Sequence, residues 1–274
     1  MQSILNLSKT NKLILAALAF LAVLAFGSGR AHAATLNVSG GCTLPIAINS
    51  VNAGSNQSGC TAAVSPSGYG TNDTITIPAG MITLTADLPA ITESVTIQGA
   101  GMGQTVISGD SGLYAPFNIE SPNDNIRLKG MTIVEFFGAG IWNDGGALTL
   151  ENIEVDGGEA QSDSGPLWGL WLGNSQGVDN SITTNNLYIH DLASTSGIVY
   201  GIQTQLQDGL SSTIDISNTT ISNLTNSGGD VFGFLVMGVG TVNSRIVNTT
   251  IDNLEAAHTA IGFANVGGAN SSDS

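Results

Sequence analysis

Positive charge is what this chain has least of. Its 274 residues include six Lys and Arg, and three of these, Lys9, Lys12 and Arg30, precede Ala34. The other three, Arg127, Lys129 and Arg245, stand against 21 Asp and Glu, a balance of −18 from Ala34 onward. So few bases exclude a basic patch for nucleic acid or an anionic membrane. The acidic excess would also repel an acidic polysaccharide unless cations bridged it. Cysteine is nearly absent as well: Cys42 and Cys60 are the only two. Two Cys without a neighbouring His do not make a zinc site. In an exported chain such a pair predicts a disulfide closing a loop of about 18 residues. From Ala34 onward no apolar run is long enough to span a bilayer.

What is present begins with a leader. Lys9 and Lys12 give a positive start, Leu13 to Phe26 is unbroken apolar sequence, and Ala31-His32-Ala33 is a small-x-small cleavage site. Residues 1–33 are therefore expected to be a secretory signal that leaves Ala34 as the mature N-terminus and a secreted or cell-surface product without a membrane span.

The mature sequence is rich in Gly, with 36 in the whole chain, and its Asn, Ser and Thr punctuate short apolar alternations. That composition predicts strands and turns rather than helices. One phrase recurs: Leu150-Glu-Asn-Ile-Glu-Val155, Thr184-Asn-Asn-Leu-Tyr-Ile189, Ile216-Ser-Asn-Thr-Thr-Ile221 and Ile246-Val-Asn-Thr-Thr-Ile251. Its central Asn152, Asn186, Asn218 and Asn248 follow one another at steps of 34, 32 and 30. A second landmark, Gly140, Gly169, Gly201, Gly233 and Gly262, steps by 29, 32, 32 and 29. Two landmarks keeping a common pace over several cycles predict stacked structural repeats. Hairpin dipeptides are missing between the strands, so each strand is expected to pair in parallel with its equivalent one coil away. The four Asn are expected to stack as an internal ladder, amide to amide. Asn218-Thr-Thr220 and Asn248-Thr-Thr250 also match the N-glycosylation acceptor, and the period favours the ladder. The glycines are expected at tight bends before an inward residue.

Ahead of the repeats, Ala34 to Val38 reads as a strand. Thr43 and Pro45 then open a short helix, Thr43 as N-cap, with Leu44, Ala47, Ile48 and Val51 on one face. Residues 34–72 are thus read as a cap over the first coil, 73–266 as the solenoid and 267–274 as a disordered or truncated end. The final Gly267-Gly-Ala-Asn-Ser-Ser-Asp-Ser274 brings no closing element, which suggests the N-terminal part of a longer protein.

At Gly41-Cys42-Thr43-Leu44-Pro45-Ile46-Ala47-Ile48-Asn49, followed by Asp73-Thr-Ile-Thr-Ile77, the chain resembles the N-terminal cap of secreted bacterial right-handed parallel β-helix proteins that carry a Cys-Ser-Leu-Arg-Glu-Ala-Ile consensus. Here Thr43, Pro45 and Ile46 stand where that consensus has Ser, Arg and Glu. The coils from Asp73 onward resemble the pectin-lyase-like superfamily. The resemblance implies an all-β, right-handed parallel β-helix. The repeat step divides the solenoid into roughly six or seven coils.

Candidate chemistry is sparse. Trp168, Tyr200, Phe232 and Ile261 precede four of the landmark glycines, and Trp142 and Trp171 lie close by. This aromatic stripe is either a sugar-binding surface or packing, and packing is the reading adopted. Arg127-Leu128-Lys129 is similar to the Arg-x-Lys signature of pectin-degrading hydrolases, but here it precedes Asp144, Asp156 and Asp191 instead of following them. Arg245 is the remaining base a lyase would need, in a repeat strand without an adjacent carboxylate pair. His190-Asp191 and His258 are read as solvated loop residues. Asp144-Gly-Gly146, Asp156-Gly-Gly158 and Gly228-Gly-Asp230 are read as ordinary turns rather than Ca²⁺ loops, so no cofactor is expected. The sequence therefore predicts a secreted or surface β-helix, adhesin-like or structural, without a catalytic site and with an extracellular glycan or surface protein as partner. The alternatives are a polysaccharide-active enzyme of the same fold and a carbohydrate-binding module.

Overall fold

The computed structural model describes residues 33–64, 68–122, 124–162 and 164–267. All of the expected leader except Ala33, and residues 268–274 of the tail, lie outside these. No helix among the described residues is long and apolar enough to cross a membrane.

The chain enters through β1 (Ala34–Asn37), helix α1 (Leu44–Asn52) and β2 (Ala63–Val64). Short strands follow: β3 (Asp73–Thr76), β4 (Gly80–Thr83), β5 (Val95–Gln98), β6 (Thr105–Ser108) and β7 (Phe117–Ile119). The repeats then lengthen into β8 (Asn125–Val134), β9 (Ala139–Asp144), β10 (Gly146–Asp156), β11 (Leu167–Gly173) and β12 (Asn180–His190). The last are β13 (Ala193–Ser194), β14 (Ile198–Leu206), β15 (Ser211–Asn226), β16 (Asp230–Gly238), β17 (Thr241–Ala256) and β18 (Ala260–Gly267).

These strands form two sheets. The larger contains β1, β3, β5, β8, β10, β12, β15 and β17 in stacked order, and the smaller contains β7, β9, β11, β14, β16 and β18. Every named pairing is parallel except β1 with β2 in the cap. The result is an all-β parallel solenoid of about six turns.

Its core consists of rows that climb the stack. Ile75, Ile97, Leu128, Leu150, Thr184, Ile216 and Ile246 are consecutive register partners, as are Ile107, Ile133, Val155, Ile189, Ile221 and Ile251. Each buried aliphatic side chain contributes about 1.5–3 kcal/mol relative to exposure. Thr184 is the polar intruder, and its hydroxyl meets that of Thr219 at 3.1 Å inside the core. In the last described coil the apolar rows open to solvent, with Ile246 37% and Phe263 49% exposed.

The long strands turn corners without breaking. Gly130, Asn152, Asn186, Asn218 and Asn248 all have φ between +50° and +63°. Asn tolerates this left-handed region because its short amide can bond locally. The expected ladder is present, but it lies on the outside. All four Asn are exposed, because the apolar residues flanking each corner take the inward positions. Asn186 donates to Asn152 Oδ1 at 2.8 Å and Asn248 to Asn218 Oδ1 at 3.0 Å, while Asn218 donates to Asn185 and skips Asn186. A second corner, five positions on, is formed by Glu135, Asp191, Asn223 and Asn253, again with positive φ. Asn253 donates to Asn223 Oδ1 and Asn223 to Asp191 Oδ1, so this corner has a ladder of its own.

The landmark glycines lie where the smaller sheet bends. Strand pairing passes over Gly169 and Gly201, and the next residues, Ile141, Leu170, Ile202 and Phe234, are buried to within 1%. In the cap, Leu44, Ala47, Ile48 and Val51 join the same core, and Cys42 is bonded to Cys60. Thr43 occupies the N-cap position, but its hydroxyl makes no capping bond; Pro in the first turn starts the helix.

Candidate functional site

Four features are singled out by sequence or brought together by the coils: the aromatics, the bases, the histidine neighbourhood and a groove.

The aromatics do gather, in two outward rows of the smaller sheet. Trp142 and Trp171 are register partners, stacked with centroids 3.7 Å apart at 15°. Trp168, Tyr200 and Phe232 stack at 6.1 and 5.5 Å, and Trp168 closes on the edge of Trp142 at 5.6 Å. They lie outside the hydrophobic core, yet Trp171 and Tyr200 are only 8% and 6% exposed. Within each row, successive rings lie face to face across neighbouring coils. A sugar needs an open aromatic face to stack against, and these rows turn mostly edges outward. Burial pushes the Tyr200 hydroxyl pKa up, and the Asp230 charge adds to the shift. The arrangement is a seam that staples coils together.

The Lys and Arg among the described residues are all paired. Arg127 Nε and Lys129 Nζ reach Glu151 at 3.5 and 2.9 Å. The hydrogen bond from Lys129, with Arg127 adding charge, holds the Glu151 carboxyl below its ordinary range. Arg245, expected to lack an adjacent carboxylate pair, meets a single carboxylate, Asp215 of the previous coil, at 2.8 Å. The sequence hid this partner because Asp215 lies a whole coil earlier and is adjacent only through the β15–β17 register. A base for proton abstraction must have a free lone pair near substrate. These cations are instead each engaged by a neighbouring carboxylate.

His190 is not a solvated loop residue. It ends β12, is 8% exposed, and stacks on Tyr188 at 4.0 Å. Parallel register sets it beside Asp156 of the previous coil. Its Nδ1 is 2.6 Å from Asp191 Oδ2, and its Nε2 is 3.2 Å from Glu154 Oε1. The hydrogen bond from His190, with a second from Asn223, holds the Asp191 carboxyl below its ordinary range despite partial desolvation. His258, by contrast, is exposed in a loop as expected. Of the three suspected Ca²⁺ loops, Asp156 accepts from the Gly158 amide as a turn carboxylate does, while Asp144 accepts from Ser175 and Asp230 from the Thr259 amide, each one coil on.

Sequence reasoning misses the groove. It has a volume of about 610 Å³ and is lined by Ala160–Ser162, Ala193–Ser196, Thr225–Ser227 and Glu255–Ala257. These segments come from four successive coils, each just beyond the second corner. Register pairs Ala193 with Thr225 and Thr225 with Glu255, so the lining repeats along the solenoid axis. The channel is shallow and open because most of its residues are Ala, Ser and Thr. Ser194 donates to its own turn at Ser196, and Asn226 donates to backbone carbonyls of Asp230 and of Gly197 in the previous coil. The hydroxyls of Thr195, Thr225 and Ser227 have no hydrogen-bond partner among the described residues. The signal in the sequence is small residues seven or eight positions after each ladder Asn (Ala160, Ala193, Thr225, Ala256), easily passed over in a search for charges and rings.

Comparisons with protein-family models, curated proteins and solved structures return no match.

Proposed function

We propose that this chain is an exported, adhesin-like β-solenoid that holds a linear, uncharged glycan in its axial groove without cleaving it. The groove carries the reading: a site whose lining recurs in each coil, about 4.8 Å apart, suits a ligand that is itself a repeating polymer. Free hydroxyls donate and accept in the way sugar hydroxyls require. Glu255 is the one charged residue among the described residues that line it, and the surrounding chain is strongly acidic, which disfavours uronate polymers. The leader-like residues 1–33 support export. The likeness of Gly41–Asn49 to the cap consensus, and of the coils to the pectin-lyase-like superfamily, supports an extracellular polysaccharide setting. A polysaccharide-cleaving role has less support, since Arg127, Lys129 and Arg245 are neutralised by Glu151 and Asp215.

Affinity electrophoresis through gels containing neutral linear polysaccharides tests this. The wild-type protein should be retarded by at least one of them. Thr225→Trp, which fills the middle of the groove, should weaken retention roughly tenfold or more, about 1.4 kcal/mol per decade. Phe232→Leu, in the aromatic seam, should leave it unchanged. Retention that survives Thr225→Trp, or is lost in Phe232→Leu while that variant stays folded, would refute the groove.

A further inference from the structure

The coils place three carboxylates around one buried imidazole. We propose that His190, Asp156 and Asp191 bind a single divalent d-block cation of the zinc type. One ligand atom from each of the three residues lies within 4.8 Å of the others. His190 Nδ1 is the centre of the group, 2.6 Å from Asp191 Oδ2 and 4.0 Å from Asp156 Oδ1. Ligand atoms bound tetrahedrally to Zn²⁺ at about 2.0 Å are themselves about 3.3 Å apart. The two separations from Nδ1 bracket that value and the third lies within 4.8 Å, so small side-chain shifts would complete three of the four positions. The fourth would be left for water.

Independent contacts orient the ligands. Glu154 Oε1 takes the other imidazole nitrogen, Nε2, at 3.2 Å. That is the outer carboxylate which fixes tautomer and ring direction in metal-bound histidines. Glu154 is itself anchored by the Thr132 hydroxyl at 2.7 Å. Asn223 donates to Asp191 Oδ1 at 2.9 Å and leaves Oδ2 for the site. The Gly158 amide holds Asp156 at 2.9 Å. Tyr188 stacks against the imidazole plane and limits its rotation.

Charge favours a dication. Glu154, Asp156 and Asp191 bring three negative charges together, and a protonated His190 cancels only one. Like charges at this range disfavour one another. A divalent cation that takes the place of the Nδ1 proton, releasing it to solvent while Nε2–H stays on Glu154, would cancel two. The imidazole ligand selects zinc and its neighbours over Ca²⁺ or Mg²⁺, which take oxygen ligands.

The test is titration of chelator-treated protein with Zn²⁺ by calorimetry and with Co²⁺ by visible absorption. Wild type should take up one Zn²⁺ per chain, and Co²⁺ should give the intense bands of a four-coordinate site. His190→Gln should abolish both, and Glu154→Gln should weaken Zn²⁺ binding by about 10–100-fold. His258→Gln should change nothing. Absence of Zn²⁺ uptake by the folded wild type would overturn the proposal. So would uptake that persists in folded His190→Gln or is lost in His258→Gln. If His190→Gln does not fold, Asp191→Asn takes its place: weakened binding supports the site, and unchanged binding overturns it.

Discussion

Replacing Gly201 with valine should destabilise the solenoid by about 3 kcal/mol or more, at the upper end of what overpacking costs. A Cβ at this position would lie 2.5 Å from the carbonyl oxygen of Gly233 and 2.6 Å from Ile221 Cγ2. The first of these is backbone of the next coil, which cannot rotate away. Relief would require β14 and β16 to part within the smaller sheet and that sheet to back away from Ile221 of the larger one, separating rows that are packed at interior density. Gly262 holds the same place in the repeat but two coils later, where among the described residues a Cβ meets only Ile251 Cγ2 at 3.8 Å. Gly262→Ala should therefore cost less than about 0.5 kcal/mol, as an ordinary surface substitution does. Urea unfolding followed by circular dichroism gives both numbers. Equal effects at the two glycines would mean that inter-sheet packing is not what the glycine row provides.

Removing the bridge between Cys42 and Cys60 should cost about 3 kcal/mol, the loop-closure value for a separation of 18. The loss should be local. In a solenoid each coil leans on its neighbours, so a damaged cap loosens the first coils before the rest. Hydrogen exchange of the Cys42→Ser, Cys60→Ser variant should show protection falling in α1, β1 and β3 while β12 and β15 keep theirs. The physical reason is that Leu44, Ile48 and Val51 cover the first coil's core and are tied down by this bridge. Unchanged exchange in α1 would show that helix packing holds the cap alone. A uniform loss across all coils would mean that the solenoid unfolds as one unit.

How far the sequence discloses this structure depends on separation along the chain. The Asn and Gly periods mark coils and corners because the same backbone demand recurs every turn. Their steps even contain the register. Once Asn152 is set against Asn186, Asp156 falls beside His190 and Glu154 beside Tyr188. The His190 cluster was therefore implicit, yet it looks like a loop residue when only its near neighbours are read. Arg245 and Asp215 follow the same logic from the step between Asn218 and Asn248. Which way the Asn ladder faces does not follow from period. It follows from corner geometry, where the left-handed residue is pushed outward while residues such as Leu150 and Ile153 turn in. The groove was hardest to see, since it consists of small side chains at Ala160, Ala193 and Ala256 that leave space instead of filling it.

The central functional claim is binding without cleavage, and one measurement tests it directly. A neutral linear glycan that retards the protein is incubated with it at saturating concentration, then stripped of protein and sized by gel filtration. The groove hypothesis predicts full occupancy and an unchanged chain-length distribution. A distribution that shortens with time, and does so in wild type but not in the Thr225→Trp variant, would contradict it and make the groove an active site.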